Sequence, residues 1–367
     1  MEESSLKRTL LTTKHQAQGA KMAPFGGWLM PIQYEGIIAE HNWTRSSASL
    51  FDICHMGEFI ISGTPEETGL DTILTVDLDK MESGRCHYGF MLNEDGGIID
   101  DLVVYKIADD KWMLVVNAAT TDKDEAHLKK HLSTGSSFEN ISQETAKLDL
   151  QGPLSRDVLT AVLGDGPGSL RYFGFGLFEI LGEENVISRT GYTGELGYEI
   201  YISSQKAQQL WELLLKDDRV KPVGLGARDT LRLEMGYSLY GQDITEKTTP
   251  LEAGLEHFVD FNKDFIGKEA LLKQKESGLA KRFICFAADS RRAPRHDYKI
   301  YSKEQEIGIV TSGTFSPSLS CGIGMGYVEA DFDKIGTEIT LKGEKSEIKA
   351  KICKRPFYKQ GTARSDK

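Results

Sequence analysis

Apolar residues along this chain recur with two different spacings, and each predicts its own element. Between Phe51 and Asn117 they come in short runs such as Phe59-Ile60-Ile61, Leu102-Val103-Val104-Tyr105 and Met113-Leu114-Val115-Val116. Short apolar runs rich in β-branched and aromatic residues and bounded by turn signals read as strands. A helix-like stretch over 68–74 interrupts them. Gly96-Gly97 punctuates the chain before 98–107, and Ala108-Asp109-Asp110 turns it back into 111–117, which predicts a hairpin. The spacing then changes to helical over 121–132, where Ala126, Leu128 and Leu132 stand among Lys, Asp and Glu and Gly135 follows. A glycine-rich turn enters a strand within 191–202, and Ala207, Leu210, Trp211 and Leu214 then mark an amphipathic helix over 205–216. Beyond Leu279 come six short strands, 282–287, 299–301, 307–311, 324–328, 338–341 and 347–353, which predict a small barrel or sandwich. The polar stretch 273–281 reads as a domain boundary. No internal repeat is visible. The texture is α+β, and this pattern alone divides the chain in two.

Length and composition widen that picture. With 367 residues, two or three domains are expected, and 40% apolar and 27% charged residues are ordinary globular usage. Subtracting 55 Asp and Glu from 44 Lys and Arg gives a net charge of −11, so no general attraction for nucleic acid or anionic lipid is expected. The five cysteines (Cys54, Cys86, Cys285, Cys321, Cys353) include no C-x-x-C and read as free thiols of a reducing compartment. The acidic opening Met1-Glu2-Glu3-Ser4-Ser5 has the form of no export signal. No run of 18 apolar residues occurs, and a cytoplasmic location is expected.

Most familiar chemistry has no support in the motifs. There is no G-x-x-x-x-G-K-[ST], no H-E-x-x-H and no G-x-S-x-G. Gly224-Leu225-Gly226-Ala227-Arg228-Asp229 begins like a dinucleotide fingerprint, but Asp229 holds the third glycine position and the preceding strand is weak. Cys54-His55 would not act as nucleophile and base together, because neighbours in a strand point to opposite faces. What remains is a set of polar residues set among apolar, glycine-rich strands: Asp100-Asp101, Asn117, Glu199 and Arg228. Acids in such surroundings need partners, and a structural ion pair is the plain reading. A three-residue turn at 108–110 would set Ile107 against Lys111 and bring Asp101 opposite Asn117 on one sheet face, whereas a four-residue turn would break that pairing.

A longer series of segments carries a specific likeness. It comprises Phe25-Gly26-Gly27-Trp28, Phe51-Asp52-Ile53-Cys54-His55-Met56-Gly57-Glu58, Gly96-Gly97-Ile98-Ile99-Asp100-Asp101-Leu102 and Leu150-Gln151-Gly152-Pro153. It continues with Gly191-Tyr192-Thr193-Gly194-Glu195-Leu196-Gly197-Tyr198-Glu199-Ile200, the segment 224–236, Tyr240-Gly241-Gln242-Asp243-Ile244, Pro250-Leu251-Glu252-Ala253-Gly254-Leu255, Thr311-Ser312-Gly313-Thr314 and Pro356-Phe357-Tyr358. In order and over nearly the whole chain, these resemble the T-protein of the glycine cleavage system, a tetrahydrofolate-dependent aminomethyltransferase. The resemblance implies a three-domain clover-leaf fold with a C-terminal β-barrel at 279–367, and before it a folate-binding region at 1–278, built of two intertwined subdomains (1–50 with 140–278, and 51–139).

By the same resemblance, Asp101 matches the catalytic aspartate, Asn117 a pterin-pocket residue, Glu199 the carboxylate that binds the pterin and Arg228 a folate-contacting arginine. Tyr88 and Met56 lie in segments that resemble pocket walls, for which plain core packing is the competing account. Leu196 stands where the family often has Asp, and Cys54 where it often has Ser. The implied partners are tetrahydrofolate and the lipoyl arm of H-protein, with no metal. A folate-dependent demethylase of a small methylated substrate is the alternative on the same fold. The K-G-C-x-x-G-Q-E signature of the iron-sulfur members is absent. Because H-protein is usually acidic, the cluster Arg291, Arg292 and Arg295, with Lys281 and Arg282 nearby, is the candidate docking surface.

Overall fold

In the computed structural model, residues 5–344 and 346–365 are described, so the acidic opening 1–4 lies outside them. Two sheets face each other, and a closed barrel stands beside them. The first is six-stranded, in the order Phe175–Ile180, Glu183–Ser188, Gly197–Ser203, Thr145–Gln151, Ala48–Asp52, Val220–Pro222. The second is five-stranded, in the order Cys86–Leu92, Ile98–Ala108, Lys111–Val116, Gly57–Ser62, Ser137–Asn140. The barrel closes through Lys281–Ala288, Cys321–Glu329, Gln305–Ser316, Lys299–Ser302, Glu338–Gly343 and Ser346–Cys353, so the six short strands read from spacing form a barrel and not a sandwich.

Strand alternation decides what each sheet turns inward. In the six-stranded sheet Leu148, Leu150, Ile200 and Ile202 lie on one face, under the helices Ser155–Leu163 and Ala207–Leu214, with Trp211 fully buried against them. The opposite face carries Phe51, Lys147, Asp149 and Glu199, and it looks toward the five-stranded sheet. There Leu102, Val104, Trp112 and Leu114 pack against Leu70, Ile73 and Leu128 on the outer side. Val103, Tyr105, Met113 and Val115 turn inward and meet Tyr201 of the other sheet. Tyr105 Oη lies 2.8 Å from Tyr201 Oη and 3.1 Å from Ser188 Oγ, which pins the two sheets together at this edge.

The hairpin at 98–117 has the expected register but not the expected turn. Ala108 pairs with Lys111 across a two-residue turn, Asp109-Asp110, and an irregularity between Lys106 and Ala108 takes up one residue. Beyond it the ladder runs Lys106 to Trp112 and Val103 to Val115, the alignment that a three-residue turn alone would have produced. The helix-like stretch over 68–74 is two short helices, Pro65–Thr68 and Leu70–Ile73, broken at Gly69 with φ 70°. Residues 273–277 of the polar stretch before the barrel belong to the helix Lys268–Ser277.

A strand does precede Gly224, the short Val220–Pro222, and the helix Leu225–Met235 follows it. Its glycines serve packing: a Cβ on Gly224 would come within 2.3 Å of the Ile32 carbonyl carbon, and one on Gly226 within 2.7 Å of Ile37. The Gly224 N–H already donates to Glu40 Oε2 at 2.8 Å.

After the last barrel strand the chain turns back to the six-stranded sheet. Tyr358 N donates to the Glu234 carbonyl at 2.9 Å, and the Thr362 hydroxyl donates to Glu195 Oε2 at 2.6 Å. Ala363 N donates to the Gly194 carbonyl, and Arg189 holds the Ala363 carbonyl. Among the described residues no helix is long and apolar enough to cross a membrane, and the five cysteines carry free thiols.

Candidate active site

On the five-stranded sheet, Asp100 and Asp101 point to opposite faces. Asp101 shares the inward face with Val103 and Tyr105 and is half-buried, while Asp100 is fully buried on the outer side. Tyr88 donates to Asp101 Oδ2 at 2.8 Å, and Asn117 Nδ2 lies 2.8 Å from Asp101 Oδ1. The same Asn117 amide reaches Asp100 Oδ1 at 2.9 Å, and the Asn117 N–H donates to Asp100 Oδ2 at 3.0 Å. Burial, with the neighbouring Asp100, pushes the Asp101 carboxyl up to about 7, against the pull of the Tyr88 and Asn117 hydrogen bonds. Tyr88 therefore acts first on Asp101, and its ring also packs edge-on at 4.7 Å to Phe258.

The six-stranded sheet supplies the opposite wall. Glu199 pairs across strands with Asp149, and Asp149 with Phe51, so one row of partners runs across the sheet. Lys147, 2% exposed, lies 3.3 Å from Glu199 Oε2, which also takes the Thr190 hydroxyl at 2.8 Å and the Tyr201 hydroxyl at 3.5 Å. All three partners reach Oε2; none reaches Oε1. Burial acts to raise the Glu199 carboxyl, but Lys147 and Arg228 together hold it below the ordinary glutamate value. Asp149 is shifted the other way, raised by burial against the pull of Arg228, which forms an ion pair with Asp149 Oδ2. The Arg228 guanidinium also sits over the Tyr192 ring at 5.1 Å.

The Tyr192 hydroxyl donates to the Ser238 carbonyl, and its ring stacks on Tyr237 at 5.8 Å. Met56 belongs to the apolar floor common to both sheets and lies 3.6 Å from Lys147 Nζ through its sulfur. The structure thus joins Asp101, Asn117 and Tyr88 on the inward face of one sheet, and sets Glu199, Met56 and Arg228 about Lys147 and Asp149 on the inward face of the other. It adds Lys147, Asp149 and Tyr192, which the motif reading did not single out. Alternation in Lys147-Leu148-Asp149-Leu150-Gln151 was the available signal: a strand polar at every second residue yet flanked by apolar ones.

Cys54 and His55 lie in a turn after Asp52 and not in a strand, so the geometric ground for setting them aside is corrected. The conclusion stands on other contacts: the Cys54 thiol donates to the Lys147 carbonyl at 3.4 Å, and burial holds its thiol well above the usual value. His55 packs edge-on to Phe25, with burial lowering it to about 4.

Arg291, Arg292 and Arg295 stand outside this cleft, on an exposed loop of the barrel. Among the described residues none of the three is in an ion pair, and Arg291 lies 4.8 Å over Phe315. The loop backbone is seated on two barrel glycines, Pro294 O against Gly313 and Arg292 O against Gly322. From that same part of the barrel Thr311 donates to Asp243 Oδ1 at 2.5 Å and Ser312 meets Arg232 at 3.0 Å, which fastens the barrel beside the cleft. A separate cavity of about 680 Å³ is lined by Glu82, Arg85, Arg171, Tyr172 and Arg364.

Residues 11–263 match the family described as the GCVT N-terminal domain, and residues 281–359 match the glycine cleavage T-protein C-terminal barrel domain. The chain belongs to the glycine cleavage T-protein family. An aminomethyltransferase of Flavobacterium psychrophilum is 42% identical over 97% of this chain and 100% of its own length. One of Desulforamulus reducens is 44% identical over 97% of this chain and 99% of its own. The solved structure of glycine cleavage system aminomethyltransferase T from Bartonella henselae is 35% identical, with a TM-score of 0.92 over 98% of this chain and 99% of that one. Membership makes this chain a transferase of the aminomethyl group, with the three-domain clover-leaf fold, and the full-length likeness does not favour the demethylase reading.

One buried acid of the cleft gives a pH test of the assembly. Among the described residues Glu58 Oε1 has no hydrogen-bond partner, and burial pushes its carboxyl up from 4.5 to about 8 although Lys147 pulls it down. Between those values the folded chain keeps a proton that the unfolded chain gives up, so stability falls as pH rises across the window. Glu58→Gln removes that dependence. Its urea midpoint relative to the parent is expected to shift in the variant's favour from pH 5 to pH 8; an identical difference at both pH values would show Glu58 ionised in the folded state.

Proposed function

We propose that the cleft binds tetrahydrofolate between the two sheets and receives the aminomethylated lipoyl arm of H-protein, giving 5,10-methylenetetrahydrofolate, ammonia and dihydrolipoyl H-protein. One observation carries the reading: a half-buried carboxylate, Asp101, stands on the inward face of one sheet and a buried one, Glu199, on the inward face of the other, and among the described residues Oε1 of Glu199 takes no donor. A pterin presents adjacent N–H donors on one edge, and Oε1 of Glu199 is the acceptor that fits them. A bidentate grip would ask Oε2 for a fourth donor, so the ring is read as held chiefly through Oε1. Arg228 and Tyr192 offer flat surfaces on which it can stack, with Met56 as the soft side of the pocket. The arginine-lined cavity beside Tyr172 suits the carboxylate tail of folate.

In the transfer the carbon–sulfur bond breaks, its electron pair stays on sulfur, and a folate nitrogen bonds the carbon; ammonia leaves as the second folate nitrogen closes. Positive charge builds on the carbon as sulfur departs. Asp101, as a carboxylate held by Tyr88 and Asn117, would stabilise that charge and orient the attacking amine, with no covalent intermediate on the protein. Lys147 would keep Glu199 ionised. The exposed Arg291, Arg292 and Arg295 are read as rim charges that steer an acidic carrier protein. A cytoplasmic location fits the free thiols.

The direct test is ammonia release from aminomethylated H-protein with and without tetrahydrofolate. Asp101→Asn is expected to fold and bind folate while losing about 100-fold or more in rate. In the parent the rate should rise with pH through about 7, as Asp101 ionises; a parent-like rate in the variant would remove Asp101 from the chemistry.

Glu199→Ala would strand Lys147, and breaking such a buried pair costs about 3–5 kcal/mol, so Glu199→Gln is the sharper probe. It is expected to weaken tetrahydrofolate roughly tenfold or more by calorimetry, a change of about 1.4 kcal/mol. Unchanged affinity would leave Glu199 a structural acid.

Reversing Arg291 and Arg292 to Glu is expected to slow H-protein association and flatten its salt dependence, with folate binding intact. Equal stopped-flow rates at low salt for variant and parent would put the docking surface on another face.

A further inference from the structure

Five oxygen atoms form a closed ring that includes Glu199. Thr190 Oγ1 donates to Glu199 Oε2 at 2.8 Å, and Ser188 Oγ lies 2.7 Å from Thr190 Oγ1 and 3.1 Å from Tyr105 Oη. Tyr105 Oη lies 2.8 Å from Tyr201 Oη, and Tyr201 returns to Glu199 Oε2 at 3.5 Å. All five residues are buried. Four of them belong to the six-stranded sheet or to the loop after its strand Glu183–Ser188. Tyr105 comes from the five-stranded sheet, on the strand and the face that also carry Asp101.

The protons in this ring can be counted. Each hydroxyl has one to give and a carboxylate has none. Burial holds both phenols well above their ordinary value, so neither is ionised, and Glu199 is held below its own. Among the described residues none of the four hydroxyls has an acceptor outside the ring. Five contacts thus share four protons, and wherever the ring is cut two oxygens face each other with no proton between them. The cut belongs at the longest contact, the one from Tyr201 to Glu199, which is left the weakest. The direction of every other bond follows: Tyr201 donates to Tyr105, Tyr105 to Ser188, Ser188 to Thr190 and Thr190 to Glu199.

We propose that Tyr105 is a positioning residue for tetrahydrofolate: it draws the Tyr201 proton away from Glu199 and donates toward Oε2 through Ser188 and Thr190, so that the sheet carrying Asp101 orients Glu199 and Oε1 keeps its strength as the acceptor for the pterin. The proposal rests on the reading of Glu199 as the pterin acid. No proton leaves its oxygen, and the ring enters no step of the transfer. Without the Tyr105 hydroxyl, Tyr201 has Glu199 as its remaining acceptor. A further donor on Oε2 draws charge from Oε1, and the pterin is held less tightly.

Tyr105→Phe keeps the edge-on contacts of the aromatic ring with Phe175 and Tyr201 and removes the hydroxyl. It is expected to weaken tetrahydrofolate binding about fivefold by calorimetry. Ser188→Ala breaks the same link from the other sheet: Tyr105 turns to Tyr201, Tyr201 turns to Glu199, and a loss of similar size is expected. Tyr201→Phe, added to either variant, removes the misdirected proton and should recover most of the affinity. Recovery is the deciding readout, because a merely structural link loses more with each hydroxyl removed. Parent-like affinity in either single variant overturns the proposal, as does a double variant that binds no tighter than its single parent. Failure of the underlying reading shows itself separately, as unchanged tetrahydrofolate affinity in Glu199→Gln.

Discussion

Three charged groups buried on one face of a sheet, Lys147, Asp149 and Glu199, with Arg228 reaching them from the helix Leu225–Met235, set the terms for the rest of the molecule. Each is tolerable only because its neighbour has the opposite sign, and strand pairing fixes the three side by side on the sheet. A slip of one residue between Thr145–Gln151 and Gly197–Ser203 would turn Leu148 and Ile200 into the cleft and drive the charges into the apolar layer beneath the helices. Register, electrostatics and core are therefore one constraint here. The back of the sheet is as apolar as its front is charged, and Trp211 with Leu210 and Leu214 seals it.

The five-stranded sheet answers with a milder version of the same problem. Its inward face is mostly apolar, and its acids are arranged in depth: Asp101 at the cleft, Asp100 behind the strand, Asp124 on the helix beyond. Polar contact between the two walls passes through aromatic hydroxyls, where Tyr105 meets Tyr201 and Ser188. Aromatic rings give the cleft rigid sides while their hydroxyls satisfy the groups they cover. The barrel contributes no inward-facing wall of this kind. It is fastened alongside through Arg232 and Asp243, fully buried at 2.6 Å, and through Glu234, which takes the hydroxyls of Ser316 and Ser318.

Much of this was legible in the chain because strand periodicity is local. The six barrel strands, the hairpin and the helix at 121–132 follow from spacing within a dozen residues. The hairpin also shows how a right register can come from a wrong turn: one residue too few in the loop was balanced by one extra residue next to it, and periodicity cannot distinguish the two. Long-range facts were not legible. Nothing local says that Lys147 meets Glu199, or that Arg228 on its helix meets Asp149 on the sheet; those depend on how sheets and helix are laid together. The glycines at 224 and 226 imitate the start of a dinucleotide fingerprint for the same reason, since close approach to another stretch of backbone looks, in sequence, like close approach to a phosphate.

The return of residues 358–363 to the six-stranded sheet gives the molecule a direction in time. Glu195 is held on one side by Arg45 and on the other by Thr362, residues more than 300 positions apart. A ribosome releases the first long before the second. Until the late segment emerges, the loop at 191–196, which carries Tyr192 into the cleft, lacks its outer support, while both sheets behind it can already be paired. The growing chain thus passes through a stage with a finished framework and an unfinished mouth, and the cleft is completed only once residues 358–363 have been made.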